Sequence, residues 1–147
     1  MNKMQTYSKI WVHVIWAVKF RQPLLRAAFR DQVRVHIIER VREEGVLIDM
    51  LNGTADHLHC LMRLSPNHAV SKVLHILKGE SSRWINTQNF VPGIFAWQRG
   101  YSAFSVSESQ VPVVREYIAS QAEHHRKMSY AEEIERLLQR HGIEIGA

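Results

Sequence analysis

Two histidines stand one residue apart inside an apolar run, Asp56-His57-Leu58-His59-Cys60-Leu61-Met62, and a tyrosine and a glutamine stand four apart, Tyr117 and Gln121, within a helical pattern. Side chains at i and i+2 leave one face of a strand, and those at i and i+4 share one face of a helix. On a strand the two imidazoles project about 7 Å apart, close enough to turn onto one ion. The chain therefore offers two imidazoles and an amide oxygen to one divalent cation, beside a phenol that can attack phosphorus. That set points to metal-assisted cleavage of nucleic acid through a covalent tyrosine intermediate.

The residue types suit that chemistry. An amide carbonyl is a neutral, hard donor that suits Mg²⁺ or Mn²⁺ when imidazoles supply the rest. Three neutral ligands leave the charge of the ion uncancelled, which strengthens it as a Lewis acid toward a phosphodiester. An unassisted phenol, with a pKa near ~10, is a poor nucleophile at neutral pH, so a polarised phosphate and a positive local field have to compensate. Histidine-triad hydrolysis is disfavoured, because the third alternate position is Leu61 rather than histidine. An H-x-H pair alone also suits two histidines hydrogen-bonded at a sheet surface. His124 and His125 follow Gln121 and could reach the metal or a phosphate; Asp56 could orient the His57 ring from behind, although on a regular strand it is expected to point to the opposite face.

These groups must be positioned by the elements around them. Ile10–Phe20 is rich in Val, Ile and Trp and predicts a strand ended by Pro23. Leu25, Phe29, Val33, Ile37 and Val41 step by four and predict a helix closed at Glu44-Gly45. Strands are expected over Val46–Asn52 and His57–Leu64, with a turn at Asn52-Gly53. Ser65-Pro66 offers an N-cap followed by proline for the next helix, which carries Val70, Val73, Leu74, Leu77 and Trp84. Tyr101–Val106 predicts a fourth strand, and one helix is expected from about Ser109 to about Lys127. Ser129 and Glu132 form a capping box for a short last helix that stops at Gly142. The order β-α-β-β-α-β followed by helices predicts an α+β, ferredoxin-like antiparallel sheet. Helices would cover one face and leave the other for a ligand or a further helix. With no repeat or linker, residues 1–147 form one expected domain.

Charge suggests the partner. Residues 1–42 hold nine Lys/Arg against two acidic residues, a net +7 by subtraction, whereas the whole chain carries +5. A basic amino-terminal third is the footprint of a phosphate-binding surface, although a merely solubilising helix face has the same composition. The single cysteine, Cys60, excludes an internal disulfide and a Cys-rich zinc site, and fits a reducing, cytoplasmic setting. Ile10–Val18 is too short to span a bilayer and too polar for a signal-peptide core, so no membrane partner or targeting segment is expected.

Together the motifs resemble the IS200/IS605-like single-tyrosine transposases. His57-Leu58-His59 resembles their HUH motif, and Val114-Arg115-Glu116-Tyr117-Ile118-Ala119-Ser120-Gln121 their catalytic tyrosine helix. Lys19-Phe20-Arg21-Gln22-Pro23-Leu24, Lys78-Gly79-Glu80-Ser81-Ser82 and Trp97 to Ser107 are similar to that family as well. The resemblance implies an RRM-like fold with a carboxy-terminal catalytic helix, acting as a homodimer. His57, His59 and Gln121 would hold Mg²⁺ or Mn²⁺. Tyr117 would attack single-stranded or hairpin DNA, leaving a 5′-phosphotyrosine and a free 3′-hydroxyl. Lys19, Arg21, Lys78, Arg83 and Arg99 are candidate phosphate contacts, and Trp11, Trp84, Trp97 and Tyr101 candidate stacking platforms. The alternative is a non-catalytic or host-retained nucleic-acid-binding module of the same fold. A hydrolytic phosphoesterase is a third reading. It would release its products with no DNA left on the protein.

Overall fold

The apolar run near the amino terminus becomes a central strand. In the computed structural model, which describes residues 5–144, β1 (Ile10–Ala17) pairs antiparallel with β3 (His57–Leu64) and with β4 (Ser102–Val106). β2 (Leu47–Gly53) flanks β3, giving the order β2-β3-β1-β4. The connections are α1 (Ala27–Arg42) and α2 (Val70–Gln88). This is the expected ferredoxin-like antiparallel sheet.

Both faces of the sheet are covered, which explains why the central strands read as almost continuously apolar. On one face Val14, Trp16, Leu58, Cys60 and Met62 meet α1 and α2 in the main core. The other face carries α3 (Val111–Ala119), α4 (Gln121–His124) and α5 (Tyr130–Arg140). There Leu61 packs with Val111 and Ile118, and Ile15 with Phe104 and Leu137. Full burial of a side chain of this size stabilises by roughly 1.5–3 kcal/mol, more than the intrinsic propensity of helices this short supplies. Among the described residues, no helix is long and apolar enough to cross a membrane.

Three boundaries differ from expectation for local reasons. β1 stops at Ala17, because Lys19–Arg21 winds into a single 3₁₀ turn with Phe20 and Arg21 at φ 58° and 52°. α2 starts at Val70 rather than at Pro66, because the Ser65 amide donates to His68 Nδ1 at 2.9 Å and folds that segment into a turn. The expected 109–127 helix breaks at Ser120. Asn52 Nδ2 donates to the carbonyls of Ile118 and Ala119 at 2.9 and 3.3 Å, taking acceptors that would serve a continuing helix, and Ser120 Oγ donates back to the Glu116 carbonyl. At the β2–β3 turn glycine is obligatory: a Cβ on Gly53 would stand 2.1 Å from the His57 carbonyl oxygen. The Ser129–Glu132 capping box is present and fixes the start of α5.

Candidate active site

Alternation along β3 decides where the histidines go. Leu58, Cys60 and Met62 enter the helical core, so His57 and His59 leave the opposite face, where α3–α5 bury both completely. Cys60 lies on the wrong side to join them, and burial pushes its thiol up, away from thiolate chemistry.

Each imidazole is held from behind. His57 Nδ1 lies 2.7 Å from Asp56 Oδ1 and 3.0 Å from Thr54 Oγ1, which itself donates to Asp56. A carboxylate there fixes the proton on Nδ1 and frees Nε2, the arrangement seen behind metal-bound histidines. The expectation that Asp56 points away is thus corrected. The strand begins only at His57, so Asp56 belongs to the turn and does not follow strand alternation. His59 Nδ1 lies 2.8 Å from Nε2 of the buried His13. In the resting site His59 Nε2 donates to Glu133 Oε1 at 3.0 Å, so Nδ1 accepts from His13 Nε2. Burial, helped by neighbouring imidazoles, lowers His13 to about 3, and burial lowers His59 to about 4 against the pull of Glu133, so both are neutral near pH 7.

The tyrosine helix brings the remaining groups. α3 carries Tyr117, whose ring centroid is 5.7 Å from that of His59. The break at Ser120 turns Gln121 inward, where it is fully buried with Oε1 3.2 Å from His57 Nε2. Its amide nitrogen donates to Glu133 Oε2 at 3.1 Å, which settles which end of the amide faces the histidine. His57, His59, Tyr117 and Gln121 therefore converge, all from one chain.

At the centre stands Glu133, from the first turns of α5 and almost wholly buried. Its Oε1 gathers three ring nitrogens: His125 at 2.8 Å, His59 at 3.0 Å and His57 at 3.2 Å. Its Oε2 accepts from Gln121 and from the Tyr117 hydroxyl. Burial alone would raise this carboxyl, but the imidazoles and the phenol hold it far below the ordinary carboxylate range. Burial also opposes protonation of His57, yet Asp56 and Glu133 outweigh it and leave that ring above its usual value. Burial and the Glu133 carboxylate push the Tyr117 phenol up, so it rests protonated, donating to Glu133.

The donor atoms of His57, His59, His125 and Glu133 lie within 4.8 Å of one another and could hold a metal ion. Imidazoles, a carboxylate and an inward amide oxygen make a donor set that a divalent first-row cation accepts. Of these, His125 had been raised from sequence only as a possibility, and Glu133 was missed. Its one local signal is an acid on the apolar stripe of Tyr130, Ile134, Leu137 and Leu138. His124 instead tilts against Tyr117, with ring centroids 4.6 Å apart.

The five candidate phosphate contacts divide. Lys19, Arg21 and Arg99 line one exposed cleft. Lys78 lies behind it, its ammonium donating to the Gln98 and Gly100 carbonyls at 2.7 Å each, so it supports the loop that carries Arg99. Arg83 is spent on Glu80 at 2.7 Å. Three of the four stacking candidates are committed elsewhere: Trp97 to the core, Trp84 to His36 and Phe90, and Trp11 to Glu108. Tyr101 is exposed.

Comparison with known proteins agrees with this fold. Residues 6–121 match the family model described as "Transposase IS200 like". The ISDra2 transposase TnpA of Deinococcus radiodurans is 26% identical over 114 residues, covering 74% of this chain and 81% of that protein. A crystal structure of a candidate transposase from Deinococcus radiodurans R1 superposes with a TM-score of 0.65 at 27% identity, over 82% of this chain and 98% of that one. The REP-associated tyrosine transposase bound to a REP hairpin shares the fold, with a TM-score of 0.61 at 17% identity, over 85% of this chain and 74% of that one.

Proposed function

The chain belongs to the IS200-like transposase family, and on that premise we propose that it cleaves and rejoins single-stranded DNA through a 5′-phosphotyrosine on Tyr117. The observation that carries this reading is the convergence of the Tyr117 hydroxyl with His57, His59 and Gln121 around one buried centre. Simple DNA binding needs no such arrangement.

His57, His59 and Gln121 would hold Mg²⁺ or Mn²⁺, with His125 and Glu133 within reach. When bound, the ion would polarise the scissile phosphate and ease charge build-up on its oxygens. Asp56 and His13 keep the two imidazoles oriented. The Tyr117 hydroxyl gives up its proton to water and its oxygen attacks phosphorus; the bond to the 3′ oxygen breaks, and that oxygen takes up a proton, so the leaving strand departs as a 3′-hydroxyl. Attack by another 3′-hydroxyl reverses the step, so rejoining needs no nucleotide cofactor. Glu133, the acceptor of the phenol proton in the resting site, has to give up that hydrogen bond before attack. The resemblance implies a homodimer whose site can join the histidine pair of one subunit to the tyrosine helix of the other, although within this chain the four groups already meet; it would work on hairpin or single-stranded DNA in the cytoplasm.

The test is chemical. Incubated with single-stranded DNA from the flanks of its gene and with Mn²⁺, the protein should form an adduct that survives denaturing electrophoresis. Tyr117→Phe should abolish the adduct and retain DNA binding. An undiminished adduct in Tyr117→Phe would overturn the nucleophile. Binding with no adduct in the unaltered protein would favour the non-catalytic module, and free cleaved products a phosphoesterase.

A further inference from the structure

At the end of β1 two successive residues other than glycine adopt the left-handed backbone, Phe20 (φ 58°, ψ 17°) and Arg21 (φ 52°). A Cβ makes that conformation costly, and such strain persists where the surrounding structure imposes it, often at ligand sites. Its result here is an aromatic residue, Phe20, that is 78% exposed. Lys19 Nζ sits 5.4 Å from the ring centroid. The ring borders a cleft of about 590 Å³ walled by Lys19, Arg21, Trp97, Gln98 and Arg99. Among the described residues, none of the three cations is in an ion pair.

The cleft is tied to the histidine end of the sheet. Ala17 pairs with His57, the Val18 amide donates to the Asp56 carbonyl at 2.8 Å, and the Lys19 amide donates to the Ala96 carbonyl at 3.0 Å. Phe20 is three residues beyond Ala17, at most roughly 11 Å along the chain. Arg21 is close enough for its charge to act on Tyr130, whose ring lies 4.7 Å from that of His57.

We infer that this cleft holds one unpaired nucleotide of a DNA strand, its base stacked on Phe20 and its flanking phosphates met by Lys19, Arg21 and Arg99. The inference rests on the single-strand reading above and adds a subsite within a few nucleotides of the phosphate that Tyr117 attacks. Exposed aromatics among unpaired cations are how proteins hold single strands: stacking tolerates any base, and the cations track the backbone. A base-paired duplex keeps its bases stacked on one another and has no free face to offer the ring.

The experiment uses the full chain carrying Tyr117→Phe, so that binding is read without covalent trapping. The probes are fluorescein-labelled dT20, the same length of abasic strand, and a duplex, followed by anisotropy. Adding Phe20→Ala should weaken dT20 binding about 5- to 150-fold, the range for one stacked base. It should leave the abasic strand and the duplex unaffected, and Phe20→Trp should restore dT20 binding. Phe20→Gly should lose dT20 affinity equally while raising the thermal midpoint, because glycine accepts the left-handed backbone, and this separates lost stacking from lost folding. Lys19→Ala or Arg99→Ala should instead weaken dT20 and abasic strand alike and reduce the salt slope by about one. Unchanged dT20 affinity in Phe20→Ala, or an equal loss on the abasic strand, would overturn the subsite and leave the strand-transfer reading standing. Failure of the Tyr117→Phe protein to bind any single strand would overturn both.

Discussion

Replacing Asp56 probes how the centre is prepared for a cation. The His57 Nδ1 to Asp56 Oδ1 bond of 2.7 Å holds the proton on the far side of the ring and leaves Nε2 directed at the centre. Removing such a support from a ligating histidine typically weakens metal binding 10- to 100-fold, about 1.4–2.7 kcal/mol. Asn keeps an acceptor oxygen at the same place and Thr54 Oγ1 remains 3.0 Å from Nδ1, so Asp56→Asn should lie near the lower figure and Asp56→Ala near the upper. The effect has a definite pH dependence. Burial disfavours His57 protonation, but Asp56 and Glu133 raise the ring above its ordinary value, so in the unaltered protein protons compete with the metal as pH falls through that raised pKa. Asp56→Asn removes one source of the rise and therefore part of the competition. Its defect should be greatest near about pH 8 and should shrink toward about pH 6. Mn²⁺ titration by calorimetry at the two pH values reads this directly. A defect that grows on acidification, or no defect at either pH, would refute the reasoning.

Two further outcomes are expected. Asn52→Ala, which strips the side-chain donor from the Ile118 and Ala119 carbonyls, should cost about 1 kcal/mol in urea unfolding and slow adduct formation, because Gln121 loses the break that turns it inward. A stable variant with undiminished adduct formation would show that the break is dispensable. The metal-free protein should lose stability as pH falls from about 6 to about 4.5. His13 and His59 take up protons at about 3 and about 4 when folded but near 6.5 when unfolded, so in this window the unfolded chain binds more protons. The loss is up to about 1.4 kcal/mol per pH unit for each excluded proton. His57, raised in the fold, binds more protons folded than unfolded near the top of this window, so it opposes the slope there and its effect fades as both states fill below about pH 5.5. Urea midpoints that stay flat across it would contradict the burial of neutral rings.

The fold was legible because its signals are local and periodic. The steps of four in α1 and the bounds of β3 emerge as read, and the alternation of His57 and His59 with Leu58 and Cys60 is enforced by an apolar core on one side only. Tyr117 and Gln121 do converge, but through a broken helix rather than along one continuous face, and the cause, Asn52, lies 66 residues away from Ile118. Glu133 was not legible for the same reason: no spacing rule ties an acid on α5 to imidazoles on β3. Asp56 was misjudged by extending strand alternation one residue too far. Tryptophans suggested themselves as stacking platforms by type, yet a large ring that can be buried usually is, and Phe20 stays out only because of a backbone conformation that no propensity scale favours.

The match to the family covers residues 6–121, whereas His125 and Glu133 come after it. The sheet and the tyrosine helix thus supply one half of the polar centre, and the segment after Gln121 supplies the other. Exchange of that tail alone, with His57, His59, Tyr117 and Gln121 left intact, would alter the charge balance of the centre and the hold on the nucleophile.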